Sequence, residues 1–183
     1  MLTRIVHFNI NLCLAVALLA TAGCHSTDKG KDKDKPKENK KELTFIELHL
    51  EVTPDALSDT KDVSINRRNP LTVTVDKEAF VDTAYVSDAK VLEEAPDVFS
   101  IQVKFNWSGT MRLDTTTTAN RGKHIAVMCT FGPTRWLAAP VIRQRISDGV
   151  LTFTPDATRE EADRIVRGLK HSAEKMKKDD LKW

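Results

Sequence analysis

Residues 25–42, HSTDKGKDKDKPKENKKE, carry no large apolar side chain, and this stretch divides the chain. Lysines nearly alternate with acids, and one Gly and one Pro interrupt them. Such a segment cannot bury enough surface to repay its ordering entropy, so a disordered tether is expected over 24–42. Fully extended, its 18 residues reach roughly 60 Å, and a coil reaches far less. The alternative, lysines binding anionic lipid headgroups, is opposed by the interleaved acids. Whatever folds is expected to come from residues 43–183. A body of that size can hold a single core and bury about 68% of its unfolded surface.

The chain opens MLTRIVHFNINLCLAVALLATAGC. Arg4 is followed by an apolar run from Leu12 to Ala22 and then by small residues. That is the layout of a secretory signal peptide over 1–23. The run is shorter than the roughly 20 apolar residues a spanning helix needs. Thr21-Ala22-Gly23-Cys24 resembles a bacterial lipobox, with Thr21 where lipoproteins usually carry Leu. The resemblance implies a diacylglycerol thioether at Cys24, cleavage before it and an acylated amine. Several acyl chains, at about 0.8 kcal/mol per buried methylene, would hold the protein to a membrane. The expected location is the bacterial cell envelope, lipid-anchored and outside the cytoplasm. The alternative is ordinary cleavage nearby, with Cys24 an incidental thiol. With Cys13 and Cys24 so accounted for, Cys129 stands alone, and a lone cysteine on a strand-like run reads as a small buried hydrophobe. A catalytic thiol needs a base, and odd spacing along a strand puts His124 on the opposite face.

Within 43–183 the pattern is dominated by strands. Leu43–Val52, Asp62–Ile65, Leu71–Val75 and Ala84–Leu92 are expected strands, the last with a bulge. Phe99, Ile101, Val103 and Phe105 alternate on one face, the clearest strand signal in the chain. Ile125–Phe131 reads as a buried strand. Val141–Ile146 and Val150–Phe153 read as strands around an Asp148-Gly149 turn. Lys77–Val81 reads as one helical turn. Asp114–Thr118 is ambiguous, because a threonine run suits a strand better than a helix. Thr158-Arg159-Glu160-Glu161 is a capping box. Ala162, Ile165, Val166, Leu169, Ala173 and Met176 then form one helical apolar stripe. The class is α+β: a mixed, largely antiparallel sheet packed by one strong C-terminal helix and one weaker central helix.

Lys plus Arg is 28 and Asp plus Glu is 26. A net charge of +2 lacks the basic excess of a nucleic-acid binder. No Gly-x-Ser-x-Gly, His-Glu-x-x-His or phosphate loop occurs. His25, His49, His124 and His171 are scattered without metal-ligand spacing, so no metal or cofactor and no catalytic residue is expected. Arg67-Arg68 could clamp an anion or form a solvated turn, and Arg143 and Arg145 share a strand face. Trp107 precedes the weaker helix. Arg135 and Trp136 fall in an expected Phe131–Trp136 loop and are the candidate binding surface, since both types are favoured at interface hot spots. The alternative is that Trp136 caps the core.

The second half resembles the extracytoplasmic head subdomain of the SecD/SecDF protein-export subunit. The resemblance rests on Gly109, Thr117, Asn120, Gly122, Lys123, Ile125-Ala126-Val127, Ala139-Pro140-Val141-Ile142, Ile146, Asp148-Gly149 and Glu161-Ala162. It covers about Gly109–Leu169, and residues 43–105 fit only loosely. In that family a helix ends in Asn-x-Gly-Lys, enters a strand, and an Ala-Pro-x-Ile segment and an x-Gly turn follow. The resemblance therefore favours helix up to Asn120. These positions specify a fold: Gly122 ends a helix, Pro140 suits an edge, Gly149 turns a hairpin, and Ala126 and Ala139 permit close packing. The resemblance implies contact with exported polypeptide or translocase subunits, and the missing catalytic constellation leads us to expect no enzymatic activity. The family's membrane spans and base subdomain have no counterpart here, so a motor role is not carried over. The rival expectations are a scaffolding envelope lipoprotein with one stable protein partner and, last, a hydrolase.

Overall fold

The structure, a computed structural model, describes residues 42–54, 59–65, 69–96 and 98–180. The signal peptide, Cys24, the tether as far as residue 41, and Arg67 and Arg68 lie outside the described residues. Among the described residues the order is β1 (Phe45–Leu50), β2 (Thr60–Ile65), β3 (Leu71–Asp76), β4 (Val81–Asp82), β5 (Val86–Ala95), β6 (Val98–Phe105), α1 (Trp107–Ala119), β7 (Ile125–Thr130), β8 (Thr134–Ala138), β9 (Val150–Phe153) and α2 (Arg159–Asp180). One sheet runs β4-β1-β7-β8, a second β5-β6-β9, and β2 and β3 form a hairpin. The pairings are antiparallel, so the molecule is the expected α+β fold with two helices.

Strand alternation places the core. Ile46 and Leu48 of β1 and Val127 and Cys129 of β7 join Ile101 and Val103 of β6 and Leu151 and Phe153 of β9. The apolar stripe of α2, with Ala162, Ile165 and Leu169, closes the same core. On the other face of the first sheet, Ala126 meets Val63, Ile65, Val73 and Val75 of the hairpin, with Trp136 packed against them. The bulge expected in β5 lies between Val86 and Asp88.

The capping box forms as the sequence predicts. Glu161 N–H donates to Thr158 Oγ1 at 3.2 Å, and Thr158 N–H donates to Glu161 Oε2 at 3.0 Å. Further along α2, a Cβ on Gly168 would stand 2.1 Å from Thr44 Oγ1. Its absence lets the helix approach the start of β1, where Ser172 Oγ donates to Thr44 C=O at 2.7 Å. The threonine-rich 114–118 region is helical. Asn106 caps α1 by accepting Gly109 N–H, and buried Thr117 turns its hydroxyl back to Leu113 C=O. That internal bond removes the penalty of burying a hydroxyl.

Four expectations are corrected. Lys77–Val81 is not a helical turn: Val81 pairs with Leu48, and a 3₁₀ turn follows at Thr83–Tyr85, capped by Asp82. Residues 131–136 are not one loop. The chain reverses over Phe131-Gly132-Pro133 and returns as β8, pairing Met128 with Trp136 and Cys129 with Arg135. Val141–Ile146 is not a strand; only Val141 makes an isolated bridge, to His124. Gly149 therefore does not turn a hairpin: it leads into β9, which pairs with β6.

Candidate functional site

A cleft opens between β9 and the segment from Ala138 to Ile146. Its two halves, of about 390 Å³ and 410 Å³, share Pro140 and Thr152. The Ala138–Ile146 wall is irregular but held at several points. Gly122 adopts φ +86° after α1, so the chain turns and Gly122 N–H donates to Ile142 C=O at 2.9 Å. Ile142 N–H donates to Lys123 C=O at 2.8 Å, and Ile125 N–H to Pro140 C=O at 3.0 Å. Beyond this, Ile146 N–H donates to Thr117 Oγ1 at 2.9 Å, and Arg145 forms a two-pronged ion pair with Asp114. The hydrogen-bonded Arg145 guanidinium holds the Asp114 carboxyl below its usual range.

β9 forms the other wall. Phe105 N–H donates to Gly149 C=O at 2.9 Å, and Val103 and Ile101 lie opposite Leu151 and Phe153. Antiparallel alternation then turns the backbone groups of Gly149, Leu151 and Phe153 toward β6, and those of Val150, Thr152 and Thr154 away from it. The Val150 N–H is taken by Asp148 Oδ1 at 3.1 Å. Among the described residues no strand pairs with this side of β9, and the Thr152 N–H and C=O point from an open edge of the kind that accepts another strand. Past β9 the chain crosses to the first sheet, where Asp156 N–H donates to Leu137 C=O at 2.7 Å. Apolar Ile125, Ile142 and Leu151 line one half of the cleft. Glu94, Ser100 and Thr154 line the other.

Several of the residues carrying the family resemblance border this cleft. Asn120, Gly122 and Lys123 form the turn supporting the Ala138–Ile146 wall, and Ala139 and Pro140 line its surface. Gly149 stands at the entry to β9 with φ +69°, where a Cβ would meet Thr110 Oγ1 at 2.0 Å. Arg135 and Trp136 are not brought together, because neighbours on a strand face opposite sides. Arg135 bonds Glu161 of α2 at 3.0 Å and lies over Phe131. Trp136 packs against the β2–β3 hairpin, edge-on to buried His49 at 5.1 Å and under the Lys61 ammonium. Trp107, by contrast, is 76% exposed at the start of α1. Sequence reasoning missed Thr152, Glu94 and Ser100; nothing in their local sequence marks an open edge.

Glu94 and Arg143 line the cleft and are exposed, whereas Glu51 and Cys129 are tied into the structure. Burial pushes the Glu51 carboxyl up, but its bonds to the His124 side chain and backbone N–H, both 2.7 Å, outweigh this and hold it below its ordinary value. Burial pushes the Cys129 thiol up to about 12, so it is not a thiolate at neutral pH. Among the described residues no three His, Cys, Asp or Glu side chains are grouped to hold a metal ion. Among them, too, no helix is long and apolar enough to cross a membrane.

Two antiparallel sheets sharing a core with α2, with an open strand edge beside a cleft, define an α+β head domain. The SecDF P1 head subdomain family matches residues 56–173, and the chain belongs to that family. Two solved structures are similar in fold. One is that of SecDF, a membrane component that enhances protein export, with 18% identity and a TM-score of 0.51 over 71% of this chain and 63% of that one. The other is SecDF in its super-membrane-facing form, with 18% identity and a TM-score of 0.52 over 71% of this chain and 19% of that one. The match therefore spans less than two thirds of either relative. No curated protein matches the chain significantly.

Proposed function

We propose that this chain is a lipid-anchored, extracytoplasmic module that binds extended polypeptide during protein export and catalyses no reaction. The observation carrying this reading is the unpaired edge of β9 beside a preformed cleft. A strand-shaped ligand satisfies the free Thr152 groups by main-chain hydrogen bonds, and its side chains enter the cleft. Family membership supports an export setting, since the solved SecDF relative enhances protein export. The opening residues through Cys24 support delivery across a membrane and attachment to it. The buried Cys129 thiol, and the ties of Asp114 to Arg145 and of Glu51 to His124, favour a surface that grips over one that reacts.

The test uses Thr152→Pro, which removes an N–H directed away from β6 and so spares the ladder. Binding of an unfolded export precursor is expected to fall at least tenfold while the far-UV spectrum is unchanged. A parallel arm leaves the protein intact and compares an extended peptide with its backbone N-methylated form, expected to bind far more weakly. Equal binding in both arms would refute strand addition. Cys24→Ser is expected to release the protein from membranes; an unchanged membrane fraction would refute the lipid anchor. Recovery of a single stable envelope protein with no affinity for unfolded chains would instead favour scaffolding.

A further inference from the structure

From Arg164 to Lys178, α2 carries six Lys or Arg and one acid, Glu174. The tether interleaves its lysines with acids, whereas this part of the helix segregates them. At about 100° per residue, Arg164, Arg167, His171, Lys175 and Lys178 fall within an arc of about 80°. That arc lies opposite the buried Ala162, Leu169 and Ala173. Arg167, Lys175 and Lys178 are exposed, and no ion pair engages them among the described residues. The stripe is about 21 Å long. Because the apolar face of α2 is buried in the core, the stripe can adhere to a charged surface but cannot insert. The chain enters the domain along the same stripe. Glu42, the last residue of the tether, pairs with Arg164 at 3.4 Å, and its C=O lies 3.3 Å from His171 Nδ1. From Glu42 the 18 residues 25–42 run back to Cys24. On its other side α2 is tied to β5, by Lys170 to Asp88 at 3.4 Å and Arg159 to Glu93 at 2.6 Å. β9 forms the opposite edge of that three-stranded sheet.

We infer that the Arg164–Lys178 stripe is a docking surface for an anionic lipid membrane. Lipid phosphates complement Arg167, Lys175 and Lys178, and the tether keeps the stripe at high effective concentration beside the bilayer. Each basic group close to an anionic surface multiplies the affinity about fivefold. Three of them add only about a hundredfold, too little to hold the protein without its acyl chains. The stripe therefore orients the body and does not anchor it. Contact along α2 leaves the β9 edge open to polypeptide. The choice of lipid over an acidic protein rests on the lipid-anchored reading, because it is the anchor that brings a membrane within reach of Glu42.

The test uses the full chain, purified from membranes and reconstituted in vesicles of phosphatidylcholine alone or with one third phosphatidylglycerol. Flotation reports the anchor, and lysine acylation by a soluble reagent, read by mass spectrometry, reports the stripe. Floating with either vesicle is expected. In low salt, Lys175 and Lys178 are expected to react at least about tenfold more slowly on the anionic vesicles. High salt is expected to remove that protection. Exposed Lys90 and Lys104, on β5 and β6, are expected to react equally on both. Arg167→Gln with Lys178→Gln is expected to return Lys175 to its rate on neutral vesicles, with flotation and the far-UV spectrum unchanged. Equal rates on the two vesicles, or protection of Lys175 that persists in the double variant, overturns the docking surface and leaves the anchor standing. Failure to float with neutral vesicles overturns the anchor, and the docking surface with it.

Discussion

Gly149 and Gly132 both hold positive φ, +69° and +108°, but only Gly149 has a neighbour where its Cβ would be. Gly132→Ala pays left-handed backbone strain alone, about 1–2 kcal/mol. Gly149→Ala adds a clash with Thr110 and should cost about 2–5 kcal/mol in total. Thermal unfolding is expected to show the larger drop for Gly149→Ala; equal drops would mean that the Thr110 contact contributes nothing. Glu51 gives a pH-dependent prediction. Its folded pKa is depressed below the ordinary 4.5, so its contribution is full above 4.5 and is lost as pH falls through the folded value. Glu51→Gln is expected to lower the melting temperature at neutral pH and to flatten its decline below pH 4.5. An acid decline as steep as the native one would contradict this. The types Arg135 and Trp136 were legible as candidates, but their separation onto two faces was not, because it follows from a strand concealed in the sequence.

At the scale of elements, α2 was the most legible, since its cap and stripe are local signals that agree. Ile165, only 1% exposed, lies in the middle of that stripe. Ile165→Asp leaves an unpaired charge in the core, a change worth about 3–5 kcal/mol. The domain is expected to lose its cooperative melting transition, and an unchanged transition by calorimetry would show that α2 is not docked. β6 was equally plain, because its four alternating apolar residues serve one buried face. β8 was hidden for a physical reason. Gly132-Pro133 signals a turn, and Trp136-Leu137-Ala138 is an apolar run without alternation, because both faces of this strand are covered. Residues 141–146 failed in the opposite sense. Their alternation is real, but Ile142 is fixed by the Gly122–Lys123 turn and Ile146 by Thr117 of α1, contacts that no periodicity reports. In α1, the threonines have poor helix propensity, and the tertiary burial of Leu113 and Thr117 sets the helix, with the Thr117 hydroxyl satisfied by Leu113 C=O.

For the whole molecule, the resemblance carried by the second half located the fold, and the family match extends it to residues 56–173. The cleft itself was not legible. It arises where the open edge of β9 comes beside a wall held by α1 and the turn after it, segments whose proximity is a tertiary fact. The same arrangement separates stable body from binding edge: the core is closed by α2 on one side, and the free Thr152 groups stand clear of it. The most direct measurement is residue-resolved amide hydrogen exchange of the full chain with and without an unfolded polypeptide ligand. The account predicts that the Thr152 amide, which exchanges quickly in the free protein, becomes protected on binding, together with Thr154 and the 139–142 wall. Binding that leaves Thr152 as fast as before, with protection confined to the Trp136 face or to α2, would contradict it.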